Sequence, residues 1–268
     1  MLKQEISMNH KVAILFSGGS DSTLTASIEQ EKYDEIYLLS YWRKGISCID
    51  NSKGHAEKLQ QKYSNKKFIH HILDVDHLFK QLSYENFLTN IKKHRFFLLS
   101  TCGFCKLAMH VRTLQFCLEH NIKYVCDGAN RNMYIYPFQR SENVELLREM
   151  YQEFGITYYN PVFDLPSEED ESFYQARIKK VLQRKPNTKP VNRSDKTVGE
   201  LLYETGLVQD KNIKGSDYDS KHQAHCMQLF LFRIFALGYY IPHFGINRYA
   251  KKTHRMFREK IEFAKQLI

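Results

Sequence analysis

Residues Val12-Ala13-Ile14-Leu15-Phe16 run directly into Ser17-Gly18-Gly19-Ser20-Asp21-Ser22, and this junction constrains the fold more than any other stretch. The short, partly β-branched apolar run reads as a buried strand, and Thr23 to Ile28 reads as the first turns of a helix. Two glycines between them permit a tight turn and a close backbone approach to a ligand. A helix starting there turns its first N–H groups and the positive end of its dipole toward that ligand, which suits an anion such as phosphate. Ser17, Ser20 and Ser22 add hydroxyl donors, and Asp21 offers a carboxylate for a metal ion that accompanies polyphosphate. Gly-Gly alone reads equally as a plain turn, and Ser or Asp beside it equally as an N-cap. The complete string is more specific than either.

Further strands are expected at Glu35–Tyr41, Lys67–Val75, Ile122–Cys126 and Ile156–Val162. Helical spacing separates them, over Asn51–Tyr63, Leu78–Lys93, Lys106–Leu118 and Glu142–Phe154. Strands alternating with helices predict an α/β fold, a doubly wound parallel sheet covered on both faces. Ligands of such sheets bind at the carboxyl ends of the strands, where the order switches. That edge collects the Ser17–Ser22 turn, the Leu39-Ser40-Tyr41 end of the second strand, and Asp127-Gly128-Ala129-Asn130. Leu39 to Tyr41 reads either as a wall for adenine or as plain core.

A composition shift at Pro166 marks an expected boundary between a nucleotide-binding domain, 1–165, and a smaller helical, basic C-terminal region, 166–268. An acidic first turn at Ser167–Glu171 opens a helix to about Gln183, and Lys185–Arg193 reads as a basic linker. Helices then follow at Val198–Thr205, at His222–Leu237, apolar enough to require burial, and at Arg248–Ile268. The chain has 268 residues, 43% of them hydrophobic, with 18 Phe and 17 Tyr, so a sizeable core is within reach and a globular chain is favoured over a disordered one. A net charge of +9 points to an anionic partner such as RNA, or to a solvated basic face. No secretory signal precedes the first strand, and the longest apolar run, Met227–Ile241, is broken by Arg233 and short for a bilayer. A cytoplasmic protein with no membrane segment is expected.

Six cysteines in such a chain read as thiols, metal ligands or redox groups rather than a disulfide framework. Cys102 and Cys105, spaced C-x-x-C at a helix start, bring two sulfurs to one point, and the helix terminus and Lys106 favour thiolate there. Cys226, in His222-x-x-His225-Cys226, offers a third sulfur or stands as a buried thiol; His222 and His225 are the histidine pair to consider for metal. Cys126 reads as core or as a persulfide carrier, Cys117 as structural, and Cys48 as a loop residue.

The string Ser17-Gly18-Gly19-Ser20-Asp21-Ser22 after the first strand resembles the Ser-Gly-Gly-x-Asp-Ser signature of the PP-loop ATP pyrophosphatase superfamily. Absence of a lysine after Gly19 sets it apart from the Walker loop. Cys102-Gly103-Phe104-Cys105-Lys106 followed by Cys126-Asp127-Gly128-Ala129-Asn130 extends the resemblance to PP-loop sulfur transferases, the tRNA thiolases among them. The resemblance implies cleavage of ATP, with magnesium, to AMP and pyrophosphate, and sulfur transfer to an adenylated acceptor such as a tRNA base or a cofactor precursor. Carried over by position, Ser17, Gly18, Gly19, Ser20, Asp21 and Ser22 hold pyrophosphate and metal, with Ser40, Gly128 and Asn130 beside the nucleotide. Asp21, Cys102 and Cys105 become the catalytic candidates, and Cys102, Cys105 and Cys226 the ligands of a 4Fe-4S cluster fed by a sulfur donor protein. Two alternatives stand: an ammonia-using amide or nitrile synthetase whose cysteines hold zinc, and a nucleotide-binding protein without turnover. Arg131-Asn132-Met133-Tyr134 replaces the usual acidic residues after Asn130 and motivates the second.

Overall fold

The computed structural model describes residues 10–85, 87–95, 97, 102–166, 196–211 and 216–268. Five parallel strands form its sheet: β1 (Lys11–Leu15), β2 (Glu35–Trp42), β4 (Lys67–Asp74), β5 (Tyr124–Asp127) and β6 (Thr157–Tyr159), in the order β4-β2-β1-β5-β6. The chain winds outward from β1 in one direction, then returns to add β5 on its other side. The switch therefore falls between β1 and β5, and the Ser17–Ser22 turn and the Asp127–Asn130 turn leave the sheet side by side.

Alternation along β1 explains the two layers. Val12, Ile14 and Phe16 enter one apolar cluster with Ile36, Leu38, Leu24 and Leu59. Ala13 and Leu15 enter the other with Tyr37, Leu39, Leu107, Val111 and Leu147. Successive side chains point to opposite faces of a strand, so a run buried on both faces reads as continuously apolar. Helices α1 (Ser20–Glu29) and α2 (Asn51–Lys62) cover the first face; α5 (Cys102–Glu119) and α6 (Ser141–Glu153) cover the second, and α3 (Asp76–Ser83) and α4 (Phe87–His94) lead from β4 toward α5. Residues beyond 196 join both layers: Val198 and Leu202 pack with the first, Phe232, Tyr249, Phe257 and Ile261 with the second.

Two expectations for the C-terminal part change. The helix expected from His222 begins at Met227, because β7 (His225–Cys226) pairs antiparallel with β3 (Ile46–Ser47) and Met227 N–H donates to the Gly45 carbonyl. Only one side of that helix is buried: Phe232 and Ala236 are enclosed, while Met227, Leu231 and Ile234 are exposed at 76, 53 and 54%. Residues 234–240 are π-helical and lead through a short helix, Ile241–Phe244, to the long amphipathic helix Ile246–Ala264. The helix expected after Pro166 and the linker Lys185–Arg193 lie outside the described residues. No helix among the described residues is long and apolar enough to cross a membrane.

Candidate nucleotide and cysteine site

The turn after β1 is built by its own hydroxyls. Ser17 N–H donates to Ser22 Oγ at 3.3 Å, Gly19 N–H to Ser17 Oγ at 3.2 Å, and Ser22 and Thr23 hydroxyls donate to the Gly19 carbonyl at 3.0 and 2.9 Å. Gly18 has φ +78°, and a Cβ there would lie 2.3 Å from the His222 carbonyl oxygen, so the position excludes any side chain. Gly128 is bound as tightly from the other side: a Cβ would fall 2.7 Å from Asp21 C and Ser22 N. Glycine is thus what allows the two turns at the switch point to touch.

A cavity of about 440 Å³ opens at this point, within the range of small-ligand sites. Ser17, Gly19, Ser20, Asp21, Ser22 and Gly128 form one end of its wall. Cys102, Cys105 and Cys226 line the same cavity. The sequence placed the three sulfurs only by analogy; in the fold they share one space with the loop. Tyr41 also lines it.

Three expected site residues stand behind that wall. Gly18 lies under His222 and Ser52 rather than on the cavity. Ser40 is fully buried, its hydroxyl donating to the Phe16 carbonyl at 2.7 Å and lying 2.8 Å from His70 Nε2. Asn130 is fully buried too, donating to the Val162 and Leu165 carbonyls at 3.1 and 2.9 Å and accepting from Asn132 N–H. Each supports the turn instead of facing a ligand. His222 and His225 do not share a helical face: His222 ends one helix and stacks 4.5 Å from His55, while His225 sits in β7. Cys126 and Cys117 are both core residues, with burial pushing the Cys117 thiol up to about 12; Cys48 is exposed.

Arg43 is the residue the sequence did not disclose. One position past β2, and only 3% exposed, it donates from Nε to Cys105 Sγ at 2.9 Å and from Nη2 toward Cys226 Sγ at 3.6 Å and Gln228 Oε1 at 3.0 Å. The available signal was its place, an arginine at the ligand edge of the sheet. Burial pushes the Cys102 thiol well up, as do the neighbouring Cys105 and Cys226 sulfurs; burial also raises Cys105, against the pull of Arg43. The expected drive toward thiolate from the helix start and Lys106 is therefore outweighed by desolvation, and these thiols keep their protons until something displaces them.

Lys106 is engaged elsewhere, 2.8 Å from Asp127 Oδ2 at the cavity edge. Burial alone would raise the Asp127 carboxyl, but Lys106, His110 and the Ala129 N–H hold it down at about 2. Asn160 donates to its other oxygen at 2.6 Å. The carboxylate is thus fixed and ionised, and it holds the ammonium of a residue that lines the cavity.

No family model matches the chain, and no curated protein does. Among solved structures it is similar to one described as a predicted subunit of a tRNA methyltransferase from Methanocaldococcus jannaschii, at 18% identity and a TM-score of 0.39, over 66% of this chain and 90% of that one. It is also similar to the U34-tRNA thiolase NcsA from Methanococcus maripaludis with its 4Fe-4S cluster, at 14% identity and a TM-score of 0.45, over 97% of this chain and 74% of that one. Likenesses this loose add nothing to what the sheet order already shows.

Proposed function

We propose that the chain is an ATP-dependent adenylating enzyme that transfers sulfur to an activated acceptor, a tRNA base being the acceptor class its charge and motifs favour. One observation carries this reading: a single cavity joins the anion-binding loop at the switch point to three cysteines from two distant parts of the chain. The donor set fits the groups it would hold. Gly19–Ser22 at the N-terminus of α1 suit the polyphosphate of ATP, and Asp21 suits magnesium. Cys102, Cys105 and Cys226 would hold a thiophilic metal group. Three cysteines on the wall of one cavity suit an iron–sulfur cluster, which spreads its ligand positions over several irons. Such a cluster, when bound, would supply sulfide at an open iron position.

In the reaction, a carbonyl oxygen of the acceptor attacks the α-phosphorus, forming an O–P bond as the bond to pyrophosphate breaks. A sulfur nucleophile then adds to the carbon, and AMP departs with the oxygen and its electron pair. The Ser17–Ser22 loop holds the leaving pyrophosphate through its backbone and hydroxyl donors. Lys106, aimed by Asp127, places a positive charge beside the negative charge that develops on phosphate oxygens. The mostly apolar remainder of the wall limits water, which would otherwise hydrolyse the adenylate.

The test joins two measurements on protein purified without oxygen. Pyrophosphate release is followed with ATP, magnesium and bulk tRNA, and iron and acid-labile sulfide are quantified beside Cys102→Ala and Cys226→Ala. Pyrophosphate release that is lost in Asp21→Asn, with iron lost in both cysteine variants, supports the reading. Zinc in place of iron would move it to the ammonia-using synthetases.

A further inference from the structure

We propose that Arg43 is the built-in counter-cation of the three-cysteine site, a positioning residue that holds Cys105 and Cys226 ready for a thiophilic metal group; this rests on the reading of the site given above. The case begins with an imbalance of charge. Arg43 is 3% exposed, and the groups around its guanidinium are two thiols, the Gln228 amide oxygen, the Lys44 carbonyl at 2.6 Å and the face of Phe79 at 4.1 Å. None of these carries a formal negative charge in its ordinary state. Of the carboxylates at the end of β4 and the start of α3, Asp74 accepts from Asp76 N–H at 2.7 Å, and Asp76 accepts from Lys44 N–H at 3.0 Å and pairs with Lys80 at 2.7 Å. A buried cation kept away from carboxylates is destabilised unless an anion joins it.

Metal binding by the cysteines would supply that anion. A thiophilic metal group displaces the thiol protons, and the thiolates so formed at Cys105 and Cys226 carry negative charge beside the guanidinium. The donors already point at two of the sulfurs, so the charge would form against preset N–H groups rather than against water.

Arg43 also ties together the pieces of chain that must meet. It follows β2, Cys105 opens α5, and Cys226 lies in β7. The register of the small ribbon places Cys226 opposite Ile46, whose N–H donates to the Arg43 carbonyl at 3.0 Å. Arg43 thus lies where the third cysteine, supplied from almost 200 positions away in sequence, enters the site.

Cadmium is the probe, because its thiolate absorption reports sulfur ligation without an assembled cluster. Metal-free wild type, Arg43→Met, Arg43→Lys, Cys102→Ala and Cys226→Ala are titrated with cadmium, and ATP binding is measured on the same preparations. Loss of an outer-shell partner of metal ligands typically weakens binding about 10- to 100-fold, and Arg43→Met is expected in that range, with Arg43→Lys weakened less and ATP affinity unchanged in both. Far-ultraviolet circular dichroism verifies folding; if Arg43→Met does not fold, Arg43→Lys, which keeps a cation but cannot span two sulfurs, decides by the same readout. Wild-type cadmium affinity in the folded arginine variants overturns the proposal, as does loss of ATP binding with cadmium affinity retained, which would make Arg43 a phosphate ligand. Both of those outcomes leave the three-cysteine site standing. Cadmium binding that is indifferent to Cys102→Ala and Cys226→Ala overturns the site itself, and this proposal with it.

Discussion

His55 Nδ1 lies 2.5 Å from the carbonyl oxygen of Gly18, and through this contact helix α2 holds the Ser17–Ser22 turn in its left-handed bend. A carbonyl only accepts, so Nδ1 carries the proton and Nε2, 2.9 Å from Tyr218 Oη, accepts from that hydroxyl. Lys58 in turn donates to Tyr218 Oη at 2.6 Å. A chain of hydrogen bonds therefore runs from the surface of α2 to the backbone of the turn. His55→Ala removes it and leaves the Gly18 carbonyl without this partner. The expected cost is about 1–3 kcal/mol of stability, read as a lower melting temperature, with weaker ATP binding by calorimetry. Unaltered ATP affinity in a destabilised variant would show that the turn does not depend on this prop.

Burial of His55 and of two further histidines sets a pH dependence. Burial lowers His55 to about 4 and His70 to about 4, and drives His110 to about 3. In the unfolded chain these imidazoles titrate near about 6.5, so below that pH the unfolded state binds protons that the folded state refuses. Stability contributed by these residues is complete above about pH 6.5 and is lost as pH falls toward 4. Denaturant melts at stepped pH should show a falling midpoint through that window, and the slope should be shallower in His55→Gln. A flat profile between pH 7 and 5 would contradict the buried, neutral assignment.

Gly128→Ala tests the contact between the two turns. Its Cβ would meet backbone atoms of Asp21 and Ser22 at 2.7 Å, and backbone cannot swing aside as a long side chain can. Forcing a methyl into a packed interior costs about 1–3 kcal/mol, and here the displaced group is the backbone of the Ser17–Ser22 turn itself. ATP binding should fall sharply while most of the fold survives. Gly238→Ala is the matching control, since a Cβ there meets nothing within 4 Å, and it should leave both ATP binding and melting close to wild type.

The parts of this protein legible in its sequence are those set by local pattern. β1, β2, β4 and β5 follow from apolar runs between turn signals, and the Ser17–Ser22 turn follows from its glycines and hydroxyls. What escaped was set by distant partners. His225–Cys226 continues an apolar helical pattern, yet pairing with Ile46–Ser47 draws it into a strand. Ser40 and Asn130 carry the polar groups a nucleotide site requires, but no local spacing tells a side chain facing the ligand from one turned inward to hold the wall. Arg43 shows the converse, since only the fold reveals that the guanidinium meets sulfurs from α5 and β7.

The buried pair Lys106–Asp127 gives the sharpest separation of structure from chemistry. Asp127 is 1% exposed, and its carboxylate lies 2.8 Å from the ammonium of Lys106, a residue of the cavity wall. Removing one member of a buried pair costs about 3–5 kcal/mol because the other charge stays behind without compensation. Lys106→Met should therefore destabilise strongly, leaving Asp127 ionised among His110, Ala129 N–H and Asn160. The double change Lys106→Met with Asp127→Asn removes both charges, and its melting temperature should recover part of the single variant's loss. Pyrophosphate release should not recover with it, because the charge that faces the phosphate is gone in both proteins. Stability and turnover recovering together would make the pair a structural ion pair alone, and Lys106 would then have no part in the chemistry.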